Sequence, residues 1–418
     1  MNMKGEKMDR TRFGVVGIMG YSRSHIGQIL AAQDSGQPVE LTAVLAYMRQ
    51  NNEKLALELE ARGVKLRDGY EELLAMKDSL DCITLPVGIP LHVPMAARAL
   101  EAGFPVYLEK PVTGAIQDAD ALSMAEKASG KKLFIGYQLC FQPIIWELKR
   151  KLLAGDIGRV KKMVVVAEWP RSRSYFNRNQ WAGKLVANGT IVLDSPMNNA
   201  CAHYINLALF LAGSEPGKSA VPVSVQAELY RANEIESADT VSSRIITGEG
   251  VEIVWTASHA YESTKGPLIR IEGEKKSLSV DYAAKDKSWK TGFSMEGETF
   301  LPDDARPVNP FVQVARWLKG ERDIPVCGIE IARAQTLVVN GVHKAASVLK
   351  IPGEYISENT RPDGDVQVSV AGMNDILDQC YGKGCMISET GLAKWSSAPS
   401  ETDVRNLSML EITDIMKS

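Results

Sequence analysis

Two stretches of this chain carry residue types suited to binding and moving charge. The first is the turn Gly17-Ile18-Met19-Gly20-Tyr21-Ser22, which follows the apolar run of residues 12–17 and precedes a helix pattern from His25 to Gln33. A strand, a glycine turn and a helix in that order gather backbone N–H groups and a helix N-terminus at one point, where a pyrophosphate can bind. The turn is irregular. Against a G-x-G-x-x-G pattern Gly17 holds the first position, Met19 the second and Ser22 the third, while Gly20 comes one residue late. A tight turn in any α/β protein reads the same way. The second strand of such a unit usually ends on an acidic residue that binds the adenosine ribose. Here the chain reads Leu45-Ala46-Tyr47-Met48-Arg49. Without a carboxylate, Arg49 is placed to meet a 2′-phosphate and Tyr47 to lie against adenine. The expectation is NAD or NADP, tilted toward NADP.

The second stretch runs from Asp194 through Asn199 to His203 and continues as an apolar helical run to Gly213. The five histidines stand at 25, 92, 203, 259 and 343. Imidazole titrates near working pH, which suits it to acid/base work. His203 is the best placed, and His259 and His343 read as structural. Asp194 either reaches a substrate or caps a helix that starts in the Pro196-Met-Asn-Asn stretch. Upstream lies a polar loop, WPRSRSYFNRNQWAGK, with Arg171, Arg173, Tyr175 and Trp181. An aromatic ring packs on a sugar face, and an arginine holds a carboxylate or phosphate. A plain surface loop has similar composition.

These groups need a frame. Residues 12–17, 39–46, 81–86, 105–111 and 132–138 read as strands, and 25–33, 52–62, 70–76, 93–103 and 118–130 as helices. The alternation implies βαβ units and a parallel sheet. The pattern then changes. An amphipathic helix spans 143–154, with Pro143 in its first turn. Strand-like stretches follow from Val160 to Tyr282, several with period-two alternation, and helices return at 310–320 and 329–349. The expected class is α/β. A doubly wound parallel sheet occupies 1–140, an α+β domain with a large open mixed sheet occupies 141–358, and an extension of no assigned role covers 359–418.

The net charge is −3, with 45% hydrophobic and 24% charged residues. Such a balance is that of an ordinary globular protein and offers nucleic acid or an anionic membrane no basic excess. It fits a small-molecule substrate. The first ten residues lack an apolar h-region, and no run approaches the roughly 18 apolar residues of a membrane helix, so a cytoplasmic location is expected. Six cysteines are scattered, and only Cys380 and Cys385 lie close together. That spacing is poor for zinc. No metal is expected and the thiols read as free, with a redox pair in the tail as the lesser alternative.

One more motif joins these pieces. The strand at 105–111 ends in Glu109-Lys110-Pro111, and the helix running from His92 to Gly103 leads into it. His25 stands eight residues after Gly17, Gly155-Asp-Ile-Gly158 follows the helix at 143–154, and His203 leads the run to Gly213. Over residues 12–350 this combination resembles the glucose–fructose oxidoreductase and inositol dehydrogenase family, Gfo/Idh/MocA. The resemblance implies a Rossmann domain followed by an open-sheet domain, with the active site between them over the nicotinamide. It implies hydride transfer to or from a hydroxyl/carbonyl pair on a sugar, polyol or similar compound. Members commonly make oligomer contacts through the outer face of the sheet, so a homo-oligomer, dimer or tetramer, is expected.

The resemblance also assigns roles. Lys110 corresponds to the motif lysine, which hydrogen-bonds the substrate oxygen or, if burial lowers its pKa, shares in proton transfer. His203 falls on the family's active-site helix. Four residues before it the family commonly has Asp, and this chain has Asn199, which orients a hydroxyl but accepts no proton. Asp194 is the candidate replacement carboxylate. Pro86, His92, Glu109, Gln138 and His25 fall near the cofactor, with the turn residues, Tyr47 and Arg49. Trp181 and Arg173 are candidates for substrate contact. Cys140 stands where the family usually has an arginine. Two other readings share these features: a glycosidase that retains its NAD and uses transient oxidation, and a non-catalytic sensor of the cofactor or a sugar. Asn199 and the irregular turn favour the sensor; Lys110 together with His203 opposes it.

Overall fold

The computed structural model describes residues 9–281, 292–295, 298–299 and 307–416. Residues 1–8, on which the expectation about a leader segment rests, and Tyr282 lie outside them. Short runs rich in Val, Ile, Leu and Phe become the central strands, covered on both faces, while the edge strand is Lys65-Leu-Arg67 and partly exposed. They are β1 (Thr11–Val16), β2 (Val39–Leu45), β3 (Lys65–Arg67), β4 (Cys82–Leu85), β5 (Val106–Leu108) and β6 (Leu133–Ile135). Between them run α1 (Ser22–Asp34), α2 (Glu53–Ala61), α3 (Tyr70–Leu74), α4 (Ile89–Glu101) and α5 (Ile116–Ser129). The strands are parallel in the order β3-β2-β1-β4-β5-β6. The order reverses at β1, and the crevice at such a switch point is where doubly wound sheets bind ligands. Phe13, Val15, Ile83, Leu85, Val106 and Phe134 are buried in this core.

Next come α6 (Pro143–Ala154), β7 (Val160–Glu168), the one-turn α7 (Arg173–Phe176), β8 (Val186–Ala187), β9 (Thr190–Ile191) and α8 (Ala202–Ala212). Then follow β10 (Pro222–Arg231), β11 (Thr240–Thr247), β12 (Glu252–Ser258), β13 (Lys265–Gly273), β14 (Ser277–Asp281), β15 (Gly292–Met295) and β16 (Glu298–Thr299). The chain continues through α9 (Pro310–Leu318), α10 (Ile329–Ala345), β17 (Val348–Lys350), β18 (Ile356–Thr360), β19 (Val366–Val370), α11 (Met373–Lys383), β20 (Ser400–Asp403) and α12 (Ile412–Ile415). Among the described residues the second sheet runs β16-β15-β14-β13-β7-β12-β11-β10-β17, with β20 also on β10. Its β7–β12 and β10–β17 pairs are parallel and the rest antiparallel, so it is an open mixed sheet.

The compact units do not follow chain order. The first takes the chain up to Val112, then Ala121–Pro143 and Val308–Ile329; the second takes Thr113–Asp120, Ile144–Pro307 and Glu330 onward. These contact units differ from the domain boundaries expected at 140 and 358 in two places. Helix α9, expected in the second domain, packs within the first unit, because Phe311 lies against Phe13, His25 and Tyr107 and the Ile135 N–H donates to the Cys327 carbonyl. Residues 359–416, which have no clear pattern in the sequence, belong to the second unit. Met373, Ile376, Leu377 and Cys380 of α11 join Val166, Tyr230 and Val368 in a buried cluster. Glu228 receives the N–H and hydroxyl of Ser388, at 3.1 and 2.7 Å, and Arg244 pairs with Glu389 at 2.7 Å. No helix among the described residues is long and apolar enough to cross a membrane.

Candidate active site

In the first unit, α1 starts at Ser22, three residues earlier than the pattern suggests, so its N-terminus meets the glycine turn directly. Gly17 has φ +99°, and a Cβ there would come within 2.4 Å of the Ser22 hydroxyl oxygen. Ser22 in turn donates to the Val16 carbonyl at 3.1 Å. That bond explains how a serine serves where helix and strand pack closely and a glycine is usual. Met19, Tyr21, Tyr47 and Met48 are all exposed after the ends of β1 and β2, Tyr47 to 68%. Met48 adopts φ 54°, and Arg49 follows it with only a 3.9 Å pairing to Glu60. These residues fit a dinucleotide: a glycine turn at a helix N-terminus, open aromatic surface after β2, and a guanidinium in place of a ribose-binding carboxylate.

The Glu109-Lys110-Pro111 turn closes β5. Glu109 is 5% exposed; its Oε1 lies 2.9 Å from His25 Nε2, and its Oε2 accepts the Lys110 N–H at 3.2 Å. His25 sits among the rings of Tyr21, Tyr107 and Phe311. Gln138 donates to the Tyr21 hydroxyl at 3.0 Å, which ties the start of α1 to the segment after β6. Although the side chain is half exposed, shielding of its hydroxyl end and the Glu109 charge push the Tyr21 phenol up to about 12, so it stays protonated. His92 differs from the expectation of a cofactor contact. It is buried, with Nδ1 2.8 Å from the Pro111 carbonyl and Nε2 3.1 Å from that of Val87. Burial lowers its pKa, so the neutral ring donates through one nitrogen and braces the turn. Pro86 is buried at the end of β4, and Cys140 is buried as well.

In the second unit every residue of α8 is buried except His203, the second residue of the helix. The helix begins at Ala202 with Cys201 before it, so Asp194 does not cap it, and Pro196-Met-Asn-Asn forms turns instead. Asp194 is 3% exposed; Oδ2 accepts the Gly183 N–H at 2.6 Å and Oδ1 accepts from Asn199 Nδ2 at 2.7 Å. The same amide nitrogen lies 3.2 Å from the Tyr175 hydroxyl. Asn199 therefore links a buried carboxylate to an aromatic of the preceding loop. Trp181 is partly buried beside Arg178. Arg173 differs from the expectation of a substrate contact: it is paired with Glu358 of β18 at 2.8 Å. His259 and His343 are buried; burial, with Arg171 and Arg178 nearby, pushes His259 down to about 3, and burial alone takes His343 to about 4.

Arg178 was missed in the sequence. Its guanidinium lies 3.7 Å from the Tyr175 ring centroid, 5.1 Å from that of Trp181 and 3.9 Å from Asp194. The spacing Tyr175-x-x-Arg178-x-x-Trp181 was the available signal. Phe311, which walls His25, had none, because its helix lies far along the chain.

A model described as an oxidoreductase family with an NAD-binding Rossmann fold matches residues 11–137, and the Gfo/Idh/MocA C-terminal domain matches 145–279. The chain is 27% identical over 272 residues to dTDP-3,4-didehydro-2,6-dideoxy-α-D-glucose 3-reductase of Streptomyces violaceoruber, covering 64% of this chain and 72% of that protein. It is 31% identical over 145 residues to inositol 2-dehydrogenase of Rhodococcus erythropolis, covering 34% of this chain and 40% of the relative. The crystal structure of the WlbA dehydrogenase from Bordetella pertussis with NADH and UDP-GlcNAcA superposes with a TM-score of 0.66 at 23% identity, over 80% of this chain and 96% of that one. The chain belongs to the Gfo/Idh/MocA family of oxidoreductases with an NAD-binding Rossmann fold.

Proposed function

We propose that this chain moves a hydride between a nicotinamide dinucleotide, preferentially the 2′-phosphorylated form, and a hydroxyl/carbonyl pair of a sugar, polyol or related carbohydrate. The observation that carries the reading is the Glu109 carboxylate, which joins His25 of the glycine-turn helix to the backbone of Lys110. One buried group thereby fixes the candidate reacting lysine relative to the candidate cofactor surface.

The nicotinamide, when bound, accepts or supplies the hydride. The chain's own residues do the remaining work. The turn Gly17–Ser22, with Met19, Gly20 and Tyr21, holds the pyrophosphate at the start of α1. Tyr47 would lie against adenine and Arg49 would hold the 2′-phosphate, while Gln138 and Tyr21 would bound the nicotinamide side. Lys110 hydrogen-bonds the reacting oxygen, so that charge developing there is stabilised. His203 exchanges the hydroxyl proton. Asn199, with its amide nitrogen directed at Asp194, orients a neighbouring hydroxyl and moves no proton.

Thermal denaturation with NAD, NADH, NADP and NADPH, followed by turnover on sugars, sugar acids, polyols and inositols, tests this. The expected result is a raised midpoint with the phosphorylated pair and a change at 340 nm with at least one carbohydrate. No stabilisation by any of the four, in protein shown by extraction to carry no nucleotide, would sink the reading. Aglycone release without net cofactor change would replace it with the glycosidase.

A further inference from the structure

The basic residues of the loop after β7 do not share one fate. Arg173 has Glu358 at 2.8 Å and Lys184 has Glu236 at 2.6 Å, each a carboxylate of its own. Arg178 has Asp194 at 3.9 Å, a carboxylate that also accepts the Gly183 N–H and the Asn199 amide, and Arg171 hydrogen-bonds the Tyr175 hydroxyl. Both guanidinium groups are held on aromatic faces. Arg178 lies over Tyr175 and near Trp181; Arg171 lies 4.9 Å from the Tyr175 centroid and 5.7 Å from that of Trp169. Arg178 also donates to the Tyr175 carbonyl, and Arg171 to that of Pro170. Stacking fixes the plane of a guanidinium and leaves its edge N–H groups available. The buried Arg171 Nε has no hydrogen-bond partner among the described residues. His259 brings no negative charge, since its Nδ1 lies 2.6 Å from the Trp169 carbonyl and its Nε2 is buried.

Two arginines are thus pre-set on three aromatic rings, with the Asp194 carboxylate 3.9 Å from Arg178. One of those rings, Tyr175, ends on Asn199. The geometry points to a subsite for an oxyanion carried by the sugar, a carboxylate or a phosphate, held by Arg178 with Arg171 behind it. It rests on the carbohydrate reading above and narrows the substrate class to charged sugars. A planar guanidinium meets either anion through two parallel N–H bonds, and such charge-assisted bonds are strong when partly shielded from water.

Calorimetric titration in the presence of saturating reduced cofactor, with which these alcohols cannot be oxidised, tests the subsite on matched probes: D-glucuronate against D-glucose, and α-D-glucose 1-phosphate against methyl α-D-glucoside. The first pair reads a carboxylate and the second a phosphate. The expected result is that the charged member of at least one pair binds about 10- to 100-fold tighter than its neutral partner. In Arg178→Gln that ratio should collapse toward one, and Arg178→Lys should restore part of it. Equal affinity within both pairs for the wild-type protein, or an unchanged ratio in Arg178→Gln, overturns the subsite. A midpoint and far-ultraviolet spectrum like the wild type's exclude misfolding of the variants. Because binding is read without turnover, the subsite stands or falls separately from hydride transfer, which the absorbance assay decides.

Discussion

Glu109 holds His25 and Lys110 in one hydrogen-bonded chain: His25 Nε2 is 2.9 Å from Oε1, and the Lys110 N–H donates to Oε2 at 3.2 Å. Gly136 leaves space for the carboxylate, since a Cβ there would come within 2.9 Å of Oε1. Removing one partner of a buried carboxylate leaves the other group unsatisfied and loosens what it positions. His25→Ala should therefore lower kcat by about 10- to 100-fold while changing cofactor affinity less. Steady-state kinetics with cofactor binding measured in parallel checks this. Loss confined to cofactor affinity would make His25 a ligand contact and not a positioning residue.

Lys110 itself should matter at the chemical step. Lys110→Ala removes the group proposed to stabilise charge on the reacting oxygen. Turnover should fall by about 100- to 1,000-fold, the scale seen when one such donor is lost, with nucleotide binding largely intact. Near-normal kcat would move the reacting centre elsewhere. His203→Ala should lower kcat and alter its pH profile, and an unchanged rate would return His203 to a packing role.

Arg49 gives a test of cofactor choice. It is half-exposed and its pairing with Glu60 is long, so little structure depends on it. Arg49→Ala should weaken NADP binding by about tenfold or more, the scale of one charge-assisted contact, and leave NAD binding nearly unchanged. Equal losses for both would remove the 2′-phosphate assignment.

Five strands of the first unit were legible as largely apolar runs between helices that end at a glycine or a polar turn, whereas the edge strand β3, Lys65-Leu-Arg67, carries no such signal. Gly63, Gly103 and Gly130 all adopt positive φ just past their helices. The glycine turn was legible as a turn, but its serine made sense only once the Ser22 hydroxyl was placed on the Val16 carbonyl. What stayed hidden was long-range. Nothing local to Phe311 points to His25, and nothing in the tail points to Glu228 on a strand more than a hundred residues upstream. Nor does loop position alone tell which guanidinium finds a carboxylate, as Arg173 does in Glu358.

Glu228 ties that tail down and predicts a pH dependence. Burial pushes its carboxyl up to about 7 from an ordinary value of 4.5, despite bonds from Ser388 and Tyr230 that favour the ionised form. Between these two values the folded protein holds the proton and the unfolded chain has lost it. Folding then takes up a proton, so this group's contribution to stability is fully present below about pH 4.5 and is lost as pH rises to about 7. Glu228→Gln keeps an acceptor for Ser388 and for the Tyr230 hydroxyl and carries no charge at any pH. Thermal midpoints measured from pH 5 to pH 8 should show the variant gaining on the wild type as pH rises, with the difference levelling off above about pH 8. A gap that stays constant with pH would mean that Glu228 titrates alike in both states. Limited proteolysis of the segment around Ser388 should follow the same course, with the wild type cut faster at pH 8 than at pH 6 and the variant showing less of that rise.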